Sequence, residues 1–416
     1  MNETPRANRL HISIFGRRNV GKSSLLNALT GQEMALVSDH PGTTTDPVYK
    51  SIEILPLGPC VIIDTAGLDD IGDLGLMRIK KTREVFDKTD LALLLIEPGA
   101  GVDSFELEIK EECLARKIPL LAVLNKSDLL GKDIDVKEKL EKELGLSLIP
   151  VSCLAGEGLD YLKKMIIKHA PAEFQKSYIV GDLISPGDLC ILVTPIDSAA
   201  PRGRLILPQV QTIRDILDRN AQALVVKETE LREALQTLIK PPKLVITDSQ
   251  VFKQVAAILD EEIPLTSFSI LFARYKGDLN SLMWGLKAID ELQAGDKVLI
   301  AEACTHHRQE DDIGTVKIPR LLEQKVGSRL DFHWYSGSGY PENLEDFKLI
   351  IHCGACMLNR RQMLSRIQKA LDTGVPIVNY GIFLAYMNGI LERSLKPLYH
   401  ELKEPCPERK ITADGG

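Results

Sequence analysis

Between Leu10 and about Ala170, short apolar runs alternate with stretches of helical periodicity. "HISIFG", "CVIIDTAG", "LALLLIEP", "PLLAVLNKSD" and "SLIPVS" predict buried strands, and "KSSLLNALTG" predicts a helix ended by Gly31. Apolar strands separated by helices imply a parallel sheet covered on both faces. "KHAPAEFQKSYIVGD" breaks the rhythm with a proline and mixed charge, which places a linker near residues 170–180. A second block to about residue 268 alternates strand-like "LCILVTPID", "ALVVK" and "KLVITD" with helix-like "QVQTIRDILDRN", "ELREALQTLI" and "VFKQVAAILDE". A third block holds "DKVLIAEAC", "LDFHWYSGSG", "FKLIIHCGACM", the helix-like "RRQMLSRIQKALDTG" and "VPIVNYGIFLAYMNGIL". Its apolar strands end in Cys, Gly or Asn. That pattern places functional groups at the carboxyl edge of a small parallel sheet, where open α/β sheets hold ligands.

The chain has 416 residues, too many for one ordinary core. The pattern divides it into an α/β domain over 8–170, a smaller one over 178–268 and another over 269–410. Apolar content of 44% fits a globular protein, and no apolar run reaches the ~18 residues that span a bilayer. The start, "MNETPRANRLHISIFG", has neither an apolar signal core nor a transit-peptide character, so a cytoplasmic location is expected. Eight cysteines are then read as reduced thiols, and a close pair among them points to metal or catalysis before disulfide. A net charge of −7 and the lack of an RNA-binding signature argue against nucleic acid as a partner.

"GRRNVGKSS" follows a predicted strand and opens a predicted helix, the context that a phosphate-binding loop requires. Gly16, Asn19, Val20, Gly21 and Ser24 shape or line the loop, Lys22 reaches the β- and γ-phosphates, and the Ser23 hydroxyl binds Mg²⁺. Asn125-Lys126-Ser-Asp128 selects the base: Asp128 accepts from the N1–H and 2-amino group of guanine, donors that adenine lacks there. Asp64-Thr-Ala-Gly67 offers a carboxylate toward Mg²⁺ and a backbone N–H for the γ-phosphate, and Thr44 of "PGTTTDP" is the expected second Mg²⁺ ligand. Together these motifs make residues 8–170 resemble a GTP-binding protein of the translation-factor-like class. Ser152 and Cys153 of "SCLAG" resemble the loop behind the guanine, although Cys153 and Leu154 depart from the common S-A-K form. Leu68 stands where Ras-like enzymes carry a water-orienting glutamine, which implies slow intrinsic hydrolysis. Asn19 resembles the asparagine that ligates K⁺ in a subset of these GTPases, where the cation offsets transition-state charge. Lys22, Thr44, Gly67 and Asn19 are therefore the expected catalytic set.

Cys60, Cys113, Cys153 and Cys190 lie among apolar residues and read as inert, and Cys406 is in the tail. Cys304 instead ends "KVLIAEAC" and precedes "THH", while Cys353 and Cys356 end "FKLIIHC" in the sequence "HCGAC". Strand ends in one small sheet can converge, bringing three thiols near His306, His307 and His352. That set suits tetrahedral zinc or an iron–sulfur cluster.

"CTH" and "HCGAC", with "PRGRLILPQVQTIRDILD" from Pro201, resemble the HydF family of GTPases that mature FeFe-hydrogenases. The resemblance implies GTPase, dimerisation and cluster-binding domains, with Cys304, Cys353 and Cys356 holding a 4Fe–4S cluster whose fourth position is open or weakly ligated. His306 or His352 would be that ligand, lie just behind it or donate a proton, and a nearby carboxylate is an equal candidate for the fourth position. It further implies a homodimeric scaffold that receives the two-iron precursor from radical-SAM maturases and delivers it to apo-hydrogenase. The competing expectation is an RNA-directed GTPase of ribosome assembly or tRNA modification with structural zinc.

Overall fold

The computed structural model describes residues 5–30, 48–65, 82–130, 134–171, 178–196, 203, 205–303, 312–337, 340–341 and 343–402. They fall into two compact units, 1–177 and 178–416.

The first unit is built on a six-stranded sheet of order β2-β3-β1-β4-β5-β6, with β1 Leu10–Phe15, β2 Val48–Ile54, β3 Gly58–Asp64, β4 Leu91–Ile96, β5 Leu120–Leu124 and β6 Leu148–Pro150. Five strands are parallel, as the apolar pattern predicts. The sixth, β2, pairs antiparallel with β3 at the edge, from Val48 opposite Asp64 to Ile54 opposite Gly58. The pattern missed it because an edge strand needs little apolar burial, and in "VYKSIEI" only Ile54 is buried.

Why the central strands read as unbroken apolar runs follows from their pleat. Leu91, Leu93 and Leu95 of β4 join a core with Ile12, Ile14, Leu25 and Leu29, while Ala92, Leu94 and Ile96 point to the opposite core with Phe15, Ile109 and Leu140. Helix Lys22–Thr30 buries Leu25, Leu26 and Leu29 on the first side. Helix Ser104–Ala115 lies on the second, started by a capping box in which Asp103 accepts from Phe105 N–H and Glu106 accepts from Asp103 N–H. β1 sits between β3 and β4, so the loop after Phe15 opens at the middle of the sheet's carboxyl edge.

The second unit contains two four-stranded parallel sheets. The first has order β10-β9-β7-β8, from β7 Leu189–Val193, β8 Gln222–Val226, β9 Leu244–Thr247 and β10 Leu265–Ser267. The second has order β12-β11-β13-β14, from β11 Lys297–Glu302, β12 Asp331–Ser336, β13 Leu349–His352 and β14 Ile377–Asn379. One apolar core runs through both, joining Ile191 and Val245 to Val298 and Ile350. Helix Phe268–Lys276, capped by the Ser267 hydroxyl on Ile270 N–H, is buried nearly all round because it serves two cores. Phe268, Leu271 and Phe272 face one core, and Ile270 and Ala273 face the other. Among the described residues no helix is long and apolar enough to cross a membrane.

Candidate functional site

In the first unit, the loop after β1 wraps around Lys22. Its ammonium donates to the carbonyls of Gly16 and Arg17, the latter at 2.8 Å, and the side chain is buried. Gly21 has φ +95°, and a Cβ there would lie 2.2 Å from Asn125 Nδ2, so backbone conformation and close approach both demand glycine. Asn19 is also left-handed, at φ +65°, a conformation that asparagine tolerates better than most residues. Arg17 is clamped to Glu106 and lies 2.9 Å from Asp103, and the Glu106 hydrogen bond raises its pKa against the opposing effect of burial.

The motifs expected to share one ligand are physically joined. Ser23 Oγ donates to Asp64 Oδ2 at 3.1 Å, which places the hydroxyl and the carboxylate expected at Mg²⁺ side by side. Asn125, almost wholly buried, donates from Nδ2 to Val20 O at 2.8 Å and so ties the base loop to the phosphate loop. Ser152 Oγ donates to Asp128 Oδ1 at 2.5 Å and accepts from Ala155 N–H, holding the carboxylate expected at guanine. Cys153 Sγ donates to Asn125 Oδ1 at 3.1 Å. Desolvation first, and the Asp128 charge second, push the Cys153 thiol up to about 11. Lys126, at φ +56°, pairs with Glu97. Thr44, Gly67 and Leu68 lie outside the described residues.

In the second unit, the ends of β11 and β13 meet. Ala301 is in register with His352, Cys353 N–H donates to Ala301 O at 2.9 Å, and Ala303 N–H donates to Cys353 Sγ at 3.1 Å. Cys304, the next residue in sequence, lies outside the described residues, as do His306, His307 and Cys406. Cys353 and Cys356 are half-buried, in contrast to Cys60, Cys113 and Cys190, which are fully buried. Burial raises the thiols of Cys60 and Cys190 to about 11 and about 12, in keeping with an inert role.

His352 is fully buried, and both its ring nitrogens are engaged. Arg366 donates to Nε2 at 2.7 Å, so the ring proton sits on Nδ1, which donates to Cys353 O at 2.7 Å. Arg366 also donates to Gly337 O and stacks on Tyr340. In this arrangement His352 braces the thiol loop, with both nitrogens engaged by described residues.

Three more groups surround the thiols without an obvious motif. Lys276 closes helix Phe268–Lys276 and sends its ammonium to the carbonyls of Ala355, Cys356 and Leu358 at 3.3, 3.1 and 2.7 Å. Desolvation lowers its pKa to about 8, while the charges of Cys356 and Cys353 act in the opposite direction. Tyr380, whose pKa burial raises far above the usual phenol range, donates to Glu302 Oε1 at 3.2 Å. An acidic residue inside "KVLIAEAC" was the visible signal for Glu302. Lys276 gave none, since a basic residue in a helix's last turn is ordinary.

Family models match three stretches. The 50S ribosome-binding GTPase model covers residues 11–126, the hydrogen maturase F dimerization domain 179–277 and the hydrogen maturase F tetramerization domain 280–397. The last two together cover more than half of the chain. The chain belongs to the hydrogen maturase F family. Curated relatives of the GTPase type include the tRNA modification GTPase MnmE of Nitrosomonas europaea, 38% identical over 162 residues, which are 39% of this chain and 35% of that one. MnmE of Lactobacillus helveticus is 41% identical over 167 residues, 39% of this chain and 34% of the relative. The chain thus spans about a third of the length of these relatives. Solved structures with partial likeness include Era of Aquifex aeolicus bound to GDP and AlF4⁻ (21% identity, 52% of this chain and 93% of that one, TM-score 0.34). The FeoB G-domain of Methanococcus jannaschii is another (28%, 39% and 98%, TM-score 0.30).

Proposed function

We propose that this hydrogen maturase F family member binds and hydrolyses GTP and acts as a cytoplasmic scaffold for the metal precursor of an FeFe-hydrogenase active site. Support for the nucleotide half is the joined set of Lys22, Ser23, Asp64, Asn125 and Asp128. Lys22 neutralises phosphate charge, Ser23 and Asp64 hold Mg²⁺ with Thr44, and Asp128 recognises guanine. Asn19 holds K⁺ beside the phosphates, and Gly67 senses the γ-phosphate.

The observation that carries the scaffold half is the meeting of β11 and β13. Ala303 N–H touches Cys353 Sγ and Cys304 is the next residue in sequence, which supports Cys304, Cys353 and Cys356 as the donor set of a 4Fe–4S cluster. Soft thiolates select iron–sulfur chemistry, and an N–H donor on Cys353 Sγ favours its anionic form. When bound, a cluster with three thiolates offers one exchangeable iron position to a second metal fragment. The chain's own residues hold the loop: His352, bonded by Arg366, at the Cys353 carbonyl, and Lys276 at the carbonyls of Ala355, Cys356 and Leu358. Radical-SAM maturases supply the precursor, apo-hydrogenase receives it, and residues 179–277 join two copies.

Reading GTP as a switch follows from loops that its γ-phosphate orders, including Thr44 and Gly67. The test is anaerobic purification followed by iron, sulfide and zinc analysis. Iron and sulfide in the wild type, abolished in Cys353→Ala with GTP hydrolysis retained, is the expected result. Colourless protein with stoichiometric zinc and tight tRNA binding would replace this reading with an RNA-directed GTPase. The hydrogen maturase F models over 179–277 and 280–397 favour the first.

A further inference from the structure

Resting on the cluster reading above, we propose that Lys276 is a positioning residue of the thiol site: its ammonium fixes the 353–356 loop and sets a positive charge in the loop that carries the two thiols. Burying an ammonium is costly unless it is paired or fully hydrogen-bonded. Lys276 is 1% exposed, and all three of its hydrogen bonds cross from its own helix to the loop carbonyls of Ala355, Cys356 and Leu358. Its Nζ stands 3.1 Å from the carbonyl oxygen of Cys356 itself, inside the loop that carries both thiols.

The loop needs such a clasp. Ala355 has φ +53°, a left-handed conformation that costs a non-glycine residue on the order of 1 kcal/mol, and it lies between the two cysteines. That turn lets both thiols serve one site, and Lys276 holds the carbonyls on either side of Cys356. A helix-ending lysine of purely local purpose would bond its own last carbonyls; this one does not. Lys276 also belongs to the stretch matched by the dimerization domain, whereas its three acceptors belong to the tetramerization domain. The segment known for joining subunits therefore completes the metal-binding loop of its own chain.

Two full-length variants separate position from charge. Lys276→Gln keeps an amide donor without charge, and Lys276→Arg keeps the charge. Each is purified anaerobically, assayed for iron and sulfide, checked for wild-type oligomeric state, and titrated at pH 7 with an electron paramagnetic resonance readout. At a fixed potential the reduced-to-oxidised ratio of Lys276→Gln is expected to fall about tenfold, about 59 mV for a one-electron couple, because a buried cation stabilises the more negative reduced form. Lys276→Arg is expected to keep the wild-type ratio. Loss of loading in Lys276→Gln that Lys276→Arg restores equally supports the proposal. An unchanged ratio and loading in Lys276→Gln, or equal changes in both variants, would overturn it. A wild-type protein that takes up no iron would instead remove the cluster reading.

Discussion

Replacing Gly21 by alanine perturbs the point where the phosphate and base loops touch. The new Cβ would stand 2.2 Å from Asn125 Nδ2, against the 3.4 Å or more of an ordinary contact, so Asn125 must give way. Its way out is blocked on two sides, since Nδ2 donates to Val20 O at 2.8 Å and Oδ1 accepts from Cys153 Sγ at 3.1 Å. Losing the first bond leaves a buried carbonyl unsatisfied, a cost of about 1–3 kcal/mol, and alanine at φ +95° adds about 1–2 kcal/mol of backbone strain. A total of about 3 kcal/mol, expressed in the loop geometry that meets the nucleotide, corresponds to roughly 100-fold in affinity. Titration with a fluorescent GDP analogue measures it directly. Iron content should be unchanged, because the thiol loop belongs to the other compact unit. An affinity within threefold of wild type would show that Asn125 moves freely and that the two loops are not coupled through this contact.

Other outcomes follow from the same geometry. Asp128→Asn should weaken GTP binding by about 100-fold or more and favour xanthosine triphosphate, whose 2-oxo group accepts where guanine donates; competition binding with both nucleotides checks it, and unchanged preference would remove Asp128 from the base. With its pKa pushed up to about 11, Cys153 at pH 8 is thiolate to only about one part in a thousand, so iodoacetamide should label it roughly two orders of magnitude more slowly than an unperturbed thiol. Because the shift is upward, labelling should rise steadily as pH climbs toward 11. Peptide mass spectrometry reads both rates, and rapid labelling at pH 8 would show that the Cys153 thiol is not desolvated beside Asp128.

Much of the architecture was legible because buried parallel strands and phosphate loops have strong local signatures. "LALLLIEP" reads as a strand buried on both faces, and β4 is one, since its alternate residues enter two cores. β2 left no such mark, being an exposed edge whose pairing partner supplies its order. Cys353 and Cys356 stood out as a pair, but Lys276 looked like an ordinary helix end in "FSILFARYK". Its role exists only because the helix is wedged between two cores and aims its last residue at a loop about 80 residues later.

Sequence alone therefore singled out the residues expected to carry the chemistry: a phosphate loop, a guanine motif and three cysteines that follow apolar strand-like runs, each marked by local spacing. Tertiary structure decided how those groups are held. Asn125 clasps the phosphate loop across 105 residues, and Arg366 and the Cys353 carbonyl engage both ring nitrogens of His352. Lys276 brings a buried charge to the thiols. Hydrogen-bond partners distant in the chain leave no periodic trace in it, because what selects them is the shared space that burial creates rather than their order along the backbone.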